Sequence, residues 1–152
     1  MSQFTGEWLN TTQEGFVEML IKLGIPDQRA KFIGASRPLL TIKMQEDKLG
    51  FHFKQELPNM GEVVTENDWL FGQEQEDVDE NGKKGVTVWN LIDENTMEGK
   101  FTNEDVALPT LITRKIEGNV LRQEIKIGEI VGVRVFERKW GWFLVSFFKA
   151  FI

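Results

Sequence analysis

Two arginines carry the chemistry in this sequence of 152 residues. Arg114 and Arg134 lie in the stretch ITRKIEGNVLRQEIKIGEIVGVRVFERK, residues 112–139. Side chains alternate between the faces of a strand. Arg114 therefore shares a face with Ile112 and Ile116, and Arg134 shares one with Ile130 and Phe136. A guanidinium keeps its charge at physiological pH, and burying it without a partner is costly. Each arginine is thus either a surface cation on an ordinary face or a buried cation awaiting an anion. Two of them on neighbouring strands favour the anion site. Such a pair suits an anion, held by charge-assisted hydrogen bonds either directly or through water.

The elements that must position these side chains can be read outward from that stretch. Glu117-Gly118-Asn119 and Gly128-Glu129 are turn-prone and divide it into three strands joined as hairpins. On the third strand, Val131, Val133 and Val135 oppose Arg134, so alternation alone assigns the valine face to the core. Near the start, Phe4 and Trp8 predict a first strand ending at Asn10-Thr11-Thr12. Thr11 with Glu14 matches a capping box opening a helix. Phe16, Met19, Leu20 and Leu23 recur at helical spacing, and Gly24 with Pro26 ends that helix. A second short helix fits residues 27–35. Beyond it the chain is strand after strand: 40–44, 49–53 and 86–89 alternate or are rich in β-formers, with turn signals at Glu46-Asp47-Lys48 and Asn81-Gly82. Pro58 and Gly61 within residues 56–68 predict an enlarged loop.

Composition narrows the function. At 41% hydrophobic, the chain is expected to form one ordinary domain with a sizeable core. A net charge of -6 and a pI of about 4.9 argue against nucleic acid as a partner. There is no cysteine, which removes disulfides, thiol nucleophiles and cysteine metal sites together. His52 is the single histidine, so neither a histidine metal site nor a catalytic triad can be assembled around it. Catalysis is not expected. Asp77 to Gly82 imitates half of a calcium loop, but Val88 stands where its closing glutamate belongs, and an acidic hairpin turn is the better reading. The start, MSQFTGEWLN, shows neither basic leader nor apolar run, so a cytoplasmic protein is expected. Residues 140–152, WGWFLVSFFKAFI, are almost wholly apolar yet too short for a span, which takes about 20 residues. They suit packing on the valine face of their own domain, a membrane interface or a partner.

Several of these fragments resemble one family. Phe4-Thr5-Gly6-Glu7-Trp8 is similar to the opening strand of the intracellular fatty acid-binding proteins of the calycin superfamily. Gly72-Gln73-Glu74 resembles their mid-chain turn, and Arg134-Val135-Phe136-Glu137-Arg138 resembles their closing Arg-x-Tyr strand. Order and spacing extend the resemblance over residues 4–139, leaving 140–152 as an extension. The resemblance implies an all-β fold, a flattened ten-stranded antiparallel up-and-down barrel with a helix-turn-helix lid. It further implies a long-chain fatty acid in a water-filled interior, its carboxylate met at Arg134 first, Arg114 second and, where the family has tyrosine, Phe136. Phe16 is the best-matched candidate to line the cavity, ahead of Met19, Leu20, Ile33 and Trp69. A monomer without cofactor or metal is expected, with transient membrane contact through the lid, whose Lys22, Arg29, Lys31 and Arg37 are basic, or through the tail. Phe136, Asn10 and Val17 depart from the family pattern. The alternative function is that of an interaction protein docking through residues 140–152.

Overall fold

The computed structural model describes residues 3–79 and 82–139. The predicted tail, 140–152, lies outside the described residues, as do two positions of the acidic turn. Ten strands form one antiparallel sheet that curls into a barrel. They are β1 (Gly6–Glu14), β2 (Leu39–Met44), β3 (Gly50–Leu57), β4 (Glu62–Leu70), β5 (Gln75–Val78), β6 (Lys84–Asp93), β7 (Thr96–Asn103), β8 (Val106–Glu117), β9 (Val120–Ile127) and β10 (Ile130–Arg138). Two helices, α1 (Phe16–Lys22) and α2 (Asp27–Ala35), lie between β1 and β2. Neighbours in the sheet are neighbours in sequence, except that β1 pairs with β10 and joins the two halves.

The pairing of β4 with β5 is missing from the sheet, and a side chain spans that gap instead. Gln75 of β5 accepts from the Leu70 amide at 2.8 Å and donates to the Asp68 carbonyl at 2.8 Å, so its side chain satisfies two backbone groups on the edge of β4. Gly118 and Gly128 sit at φ 61° and 59° in the two-residue turns joining β8, β9 and β10. A side chain at either position would be strained, so glycine there fixes the register of all three strands.

The interior has two apolar layers. Phe4, Trp8, Leu40, Ile42, Phe51, Trp89 and Phe136 belong to one, which fills the end of the barrel where the chain begins. Phe16, Met19, Leu20, Ile25, Ala30 and Ile125 form the other, beneath the helices. Alternation misassigns β10 in part: Arg134 and Phe136 are buried, and of the three valines on the other face Val133 is buried too, whereas Val131 is exposed and Val135 half-buried. In a curled sheet one face lines the interior whatever its polarity, and here that face carries arginine.

Three local expectations need correction. The capping box does not form: β1 runs to Glu14, pairing with Val133, and α1 begins after Gly15 in a left-handed conformation with no side-chain cap. The sheet ladder holds the backbone that a cap would have served. The first strand accordingly passes through Asn10-Thr11-Thr12, with a bulge between Asn10 and Thr12. Residues 56–68 are not an enlarged loop either. Only a 3-10 turn (Pro58–Met60) and Gly61 connect β3 to β4, and Val63, Val64 and Thr65 continue as strand. Strand propensity outweighed the breaking signals of Pro58 and Gly61, which served only the turn.

Candidate functional site

Both arginines belong to one row of side chains running across the sheet. Arg114 pairs with Gln123, Gln123 pairs with Arg134, and Arg134 pairs with Gln13. On the far side Arg114 pairs with Met97. Directly paired residues point to the same face, so β7, β8, β9, β10 and β1 present an inward row of Met97, Arg114, Gln123, Arg134 and Gln13. The two arginines are thus not on neighbouring strands, as the sequence suggested, but are separated by β9, so that their backbones stand about 10 Å apart. Each guanidinium also has a glutamine: Arg114 Nε donates to Gln123 Oε1 at 2.8 Å, and Arg134 Nε donates to Gln13 Oε1 at 3.3 Å.

Beyond that symmetry the two surroundings diverge. The Arg114 guanidinium lies 4.2 Å from the ring centre of Phe53 and 4.4 Å from that of Trp89, a cation between two aromatic faces. It is 5% exposed. Its Nη1 is buried and has no hydrogen-bond partner among the described residues, and the same holds for Trp89 Nε1. Burial pushes the guanidinium down to about 9, opposed by the negative charge of Asp77. This corner of the interior thus holds two unmet donors and a poorly solvated cation, a combination that calls for an anionic acceptor. Trp89 reaches it by lying across β7: a methyl group on Gly99 would fall 2.7 Å from Trp89 Cε2. Glycine at 99 makes room for the indole.

Arg134 is met by the lid instead. Its Nη2 donates to the Ile33 carbonyl at 2.8 Å, and to the carbonyl and hydroxyl oxygens of Ser36 at 3.4 Å. Those groups close the C-terminal end of α2, where exposed carbonyls and the helix dipole favour a cation and where α2 has no basic residue of its own. Gln13 strengthens the junction by donating to the Gly34 carbonyl at 2.8 Å. The ring of Phe16 lies 4.0 Å from the guanidinium carbon, so Phe16 packs beneath Arg134. Val17 fills the space over Gly34 between the helices, which accounts for an apolar residue at that position.

Phe136 is fully buried in the main apolar layer and brings no hydroxyl to the row. Asn10, its pairing partner, donates to the carbonyls of Thr12 and Val135, both at 3.1 Å, and so staples the bulge in β1. Trp69 lies in the main layer, Met19 and Leu20 in the lid layer, and Ile33 packs partly against the latter. His52 faces outward and joins β3 to β4 through Asp68 at 2.7 Å and Glu66 at 2.9 Å. Hydrogen bonding to Asp68 raises its pKa above 6.5, opposed by desolvation and reinforced by the hydrogen bond to Glu66.

A cavity of about 340 Å³ lies beneath α1, lined by Met19, Leu23, Asp77, Phe101, Ile112 and Ile125 among others. A second, about 990 Å³ and open, occupies the cleft between β4 and β5 and is lined by Asn67, Asp77, Lys84 and Thr102 among others. Asp77 borders both. Sequence reading missed Gln13, Gln123, Trp89 and Asp77. The glutamine on β9 was open to discovery, because Arg114 and Gln123 are equidistant from one two-residue turn, as Gln123 and Arg134 are from the next.

No family model matches the sequence. Curated relatives span nearly its whole length. The 14 kDa fatty acid-binding protein of Schistosoma mansoni is 24% identical over 140 residues, which is 91% of this chain and 98% of that protein. Fatty acid binding protein 1-B.1 of Danio rerio is 27% identical over 135 residues, 89% and 97% of the two chains. Among solved structures, the Schistosoma mansoni fatty acid binding protein in complex with arachidonic acid superposes with a TM-score of 0.78 at 19% identity, over 92% of this chain and 98% of the other. The fluorescent protein UnaG also gives 0.78, at 22% identity, over 90% and 98%.

Proposed function

We propose that this chain, similar over about nine-tenths of its length to curated fatty acid-binding proteins and folded like them, binds long-chain fatty acids or related lipid carboxylates non-covalently in its barrel and carries them through the cytoplasm. The supporting observation is the pair of unmet donors inside the barrel, Arg114 Nη1 and Trp89 Nε1. A carboxylate has acceptors for both and a charge opposite to that of Arg114. The acyl chain supplies affinity: at about 0.8 kcal/mol per buried methylene, sixteen carbons offer on the order of 12 kcal/mol before ordering costs. The head group supplies orientation.

In this reading Arg114 holds the carboxylate, Gln123 fixes the guanidinium from its Nε side, and the Trp89 indole offers the donor that a tyrosine at 136 would have brought. Arg134 contributes its positive field from two strands away while holding the lid, and Phe16 and Phe136 present apolar surface. No step alters the ligand covalently. The protein works as a monomer without cofactor, and contact with anionic membrane falls to the lid, where Phe32, next to Lys31, is 60% exposed.

Displacement of a fluorescent fatty acid from delipidated protein tests the proposal. Saturable one-to-one binding, competed by palmitate at least tenfold better than by hexadecanol, is the expected result; one to two charge-assisted bonds account for about that ratio. Absence of binding defeats the carrier reading, and equal competition by the alcohol defeats the carboxylate site.

A further inference from the structure

Within the proposed lipid site, one interior group has no role in holding a plain fatty acid. Asp77, on β5, turns its carboxylate toward the interior and is half-buried. Thr87, itself fully buried, donates to its Oδ2 at 2.8 Å, and the Val78 amide donates to its Oδ1 at 2.8 Å. A carboxylate accepts about four hydrogen bonds, so each oxygen retains an open position. The side chain lines the cavity beneath α1 as well as the cleft between β4 and β5, and its charge is felt at Arg114. A simple fatty acid would set a second carboxylate near this one, which like-charge repulsion disfavours, and would offer no donor to its open positions. The polar interior is two-sided, with donors at Arg114 and Trp89 and an acceptor at Asp77.

We propose that the barrel selects lipid acids that carry a hydrogen-bond donor beside the carboxylate, an amide N–H or a hydroxyl, and that Asp77 is the residue that reads it. This rests on the carboxylate site proposed above. N-acyl amino acids and 2-hydroxy fatty acids share this chemistry: an acyl chain for the apolar layers, an anion for Arg114 and a donor for Asp77. Thr87 positions the carboxylate by fixing one of its oxygens.

Calorimetric titration of delipidated protein with matched ligands tests this. N-palmitoylglycine is compared with N-palmitoylsarcosine, in which the N–H is replaced by N-methyl, and 2-hydroxypalmitate with 2-methoxypalmitate; palmitate is the reference. The wild type is expected to favour the donor-bearing member of at least one pair by about tenfold, the scale of one buried bond to a charged group. The pair that discriminates identifies the donor. Asp77→Asn, which keeps the shape and removes the charge, should reduce that preference to within about twofold and bind palmitate more tightly than wild type does. No discrimination in the wild type, or discrimination that survives in the variant, overturns the inference while palmitate binding keeps the carrier reading intact. Failure of every ligand to bind overturns both. Should the variant not fold, the wild-type comparison alone decides.

Discussion

Arg114 and Arg134 are the same residue type, in the same inward row, separated by one glutamine on β9. Both are about 95% buried. Yet Arg134 is tied into the last carbonyls of α2, whereas Arg114 lies between two aromatic faces with an amine group left over. What separates them is the element overhead. The lid lies over the β10 and β1 side of the barrel and satisfies the cation beneath it with backbone oxygen. On the β8 side no helix end among the described residues reaches the guanidinium, and its Nη1 has no partner there. Burial alone therefore does not distinguish the two arginines; the donor left without a partner at Arg114 does.

Replacing Arg134 should have the largest effect on stability. Arg134→Met removes the bond to Ile33 and the tie to Gln13 and leaves the helix end without its cation, a loss of about 2–3 kcal/mol. Denaturant titration measures it, and amide exchange should show Ser36 opening first. An unchanged midpoint would break the comparison. Crowding the Arg114 side comes next. Gly99→Ala drives a methyl group into the Trp89 indole, costing about 1–2 kcal/mol and altering the near-ultraviolet dichroism of the tryptophans. Arg114→Met should go the other way: with a poorly partnered buried cation replaced by an apolar chain, the unliganded protein should be as stable as wild type or more stable by about 1 kcal/mol. A loss comparable to that of Arg134→Met would show that Arg114 is structural after all.

The smallest effect belongs to His52, outside the barrel, and it serves as a control. Its raised pKa means the folded state binds the proton more tightly than the unfolded chain. The stabilisation is therefore fully present below pH 6.5 and disappears as pH rises through the folded value. Asp68 and Glu66 face it from β4, and Lys43 is its pairing partner on β2. The difference in urea midpoint between wild type and His52→Gln should be positive near pH 5.5 and vanish in alkaline solution, with ligand binding unaffected. A titration midpoint for His52 at or below 6.5 would contradict the pairing.

Much of this was legible in the sequence, for identifiable reasons. The three closing strands were readable because two short turns set their register, and the helices because Gly24 and Pro26 separate two compact apolar patterns. The resemblance placed Arg134 and Phe136 inside against the valine pattern, correctly, since polarity does not decide which face of a curled sheet points inward. Gln13 was hidden by the bulge at Asn10, which shifts the register between the first and last strands by one residue. Trp89 was hidden because its reach depends on Gly99, a neighbour in space across a strand pair. Asp77 looked like part of an acidic turn, and only its bond to Thr87 shows that it turns inward. Residues 56–68 misled because Pro58 and Gly61 break structure over four positions and not thirteen.

The most direct test of the central claim, that the ligand carboxylate is held at Arg114 while Arg134 holds the lid, is palmitate affinity measured by calorimetry on delipidated wild type, Arg114→Met and Arg134→Met. The account predicts a loss of about 10- to 100-fold for Arg114→Met, as expected for one or two bonds between charged groups, and a several-fold smaller loss for Arg134→Met. A larger loss at Arg134 than at Arg114 would contradict it and move the head group beneath the helices.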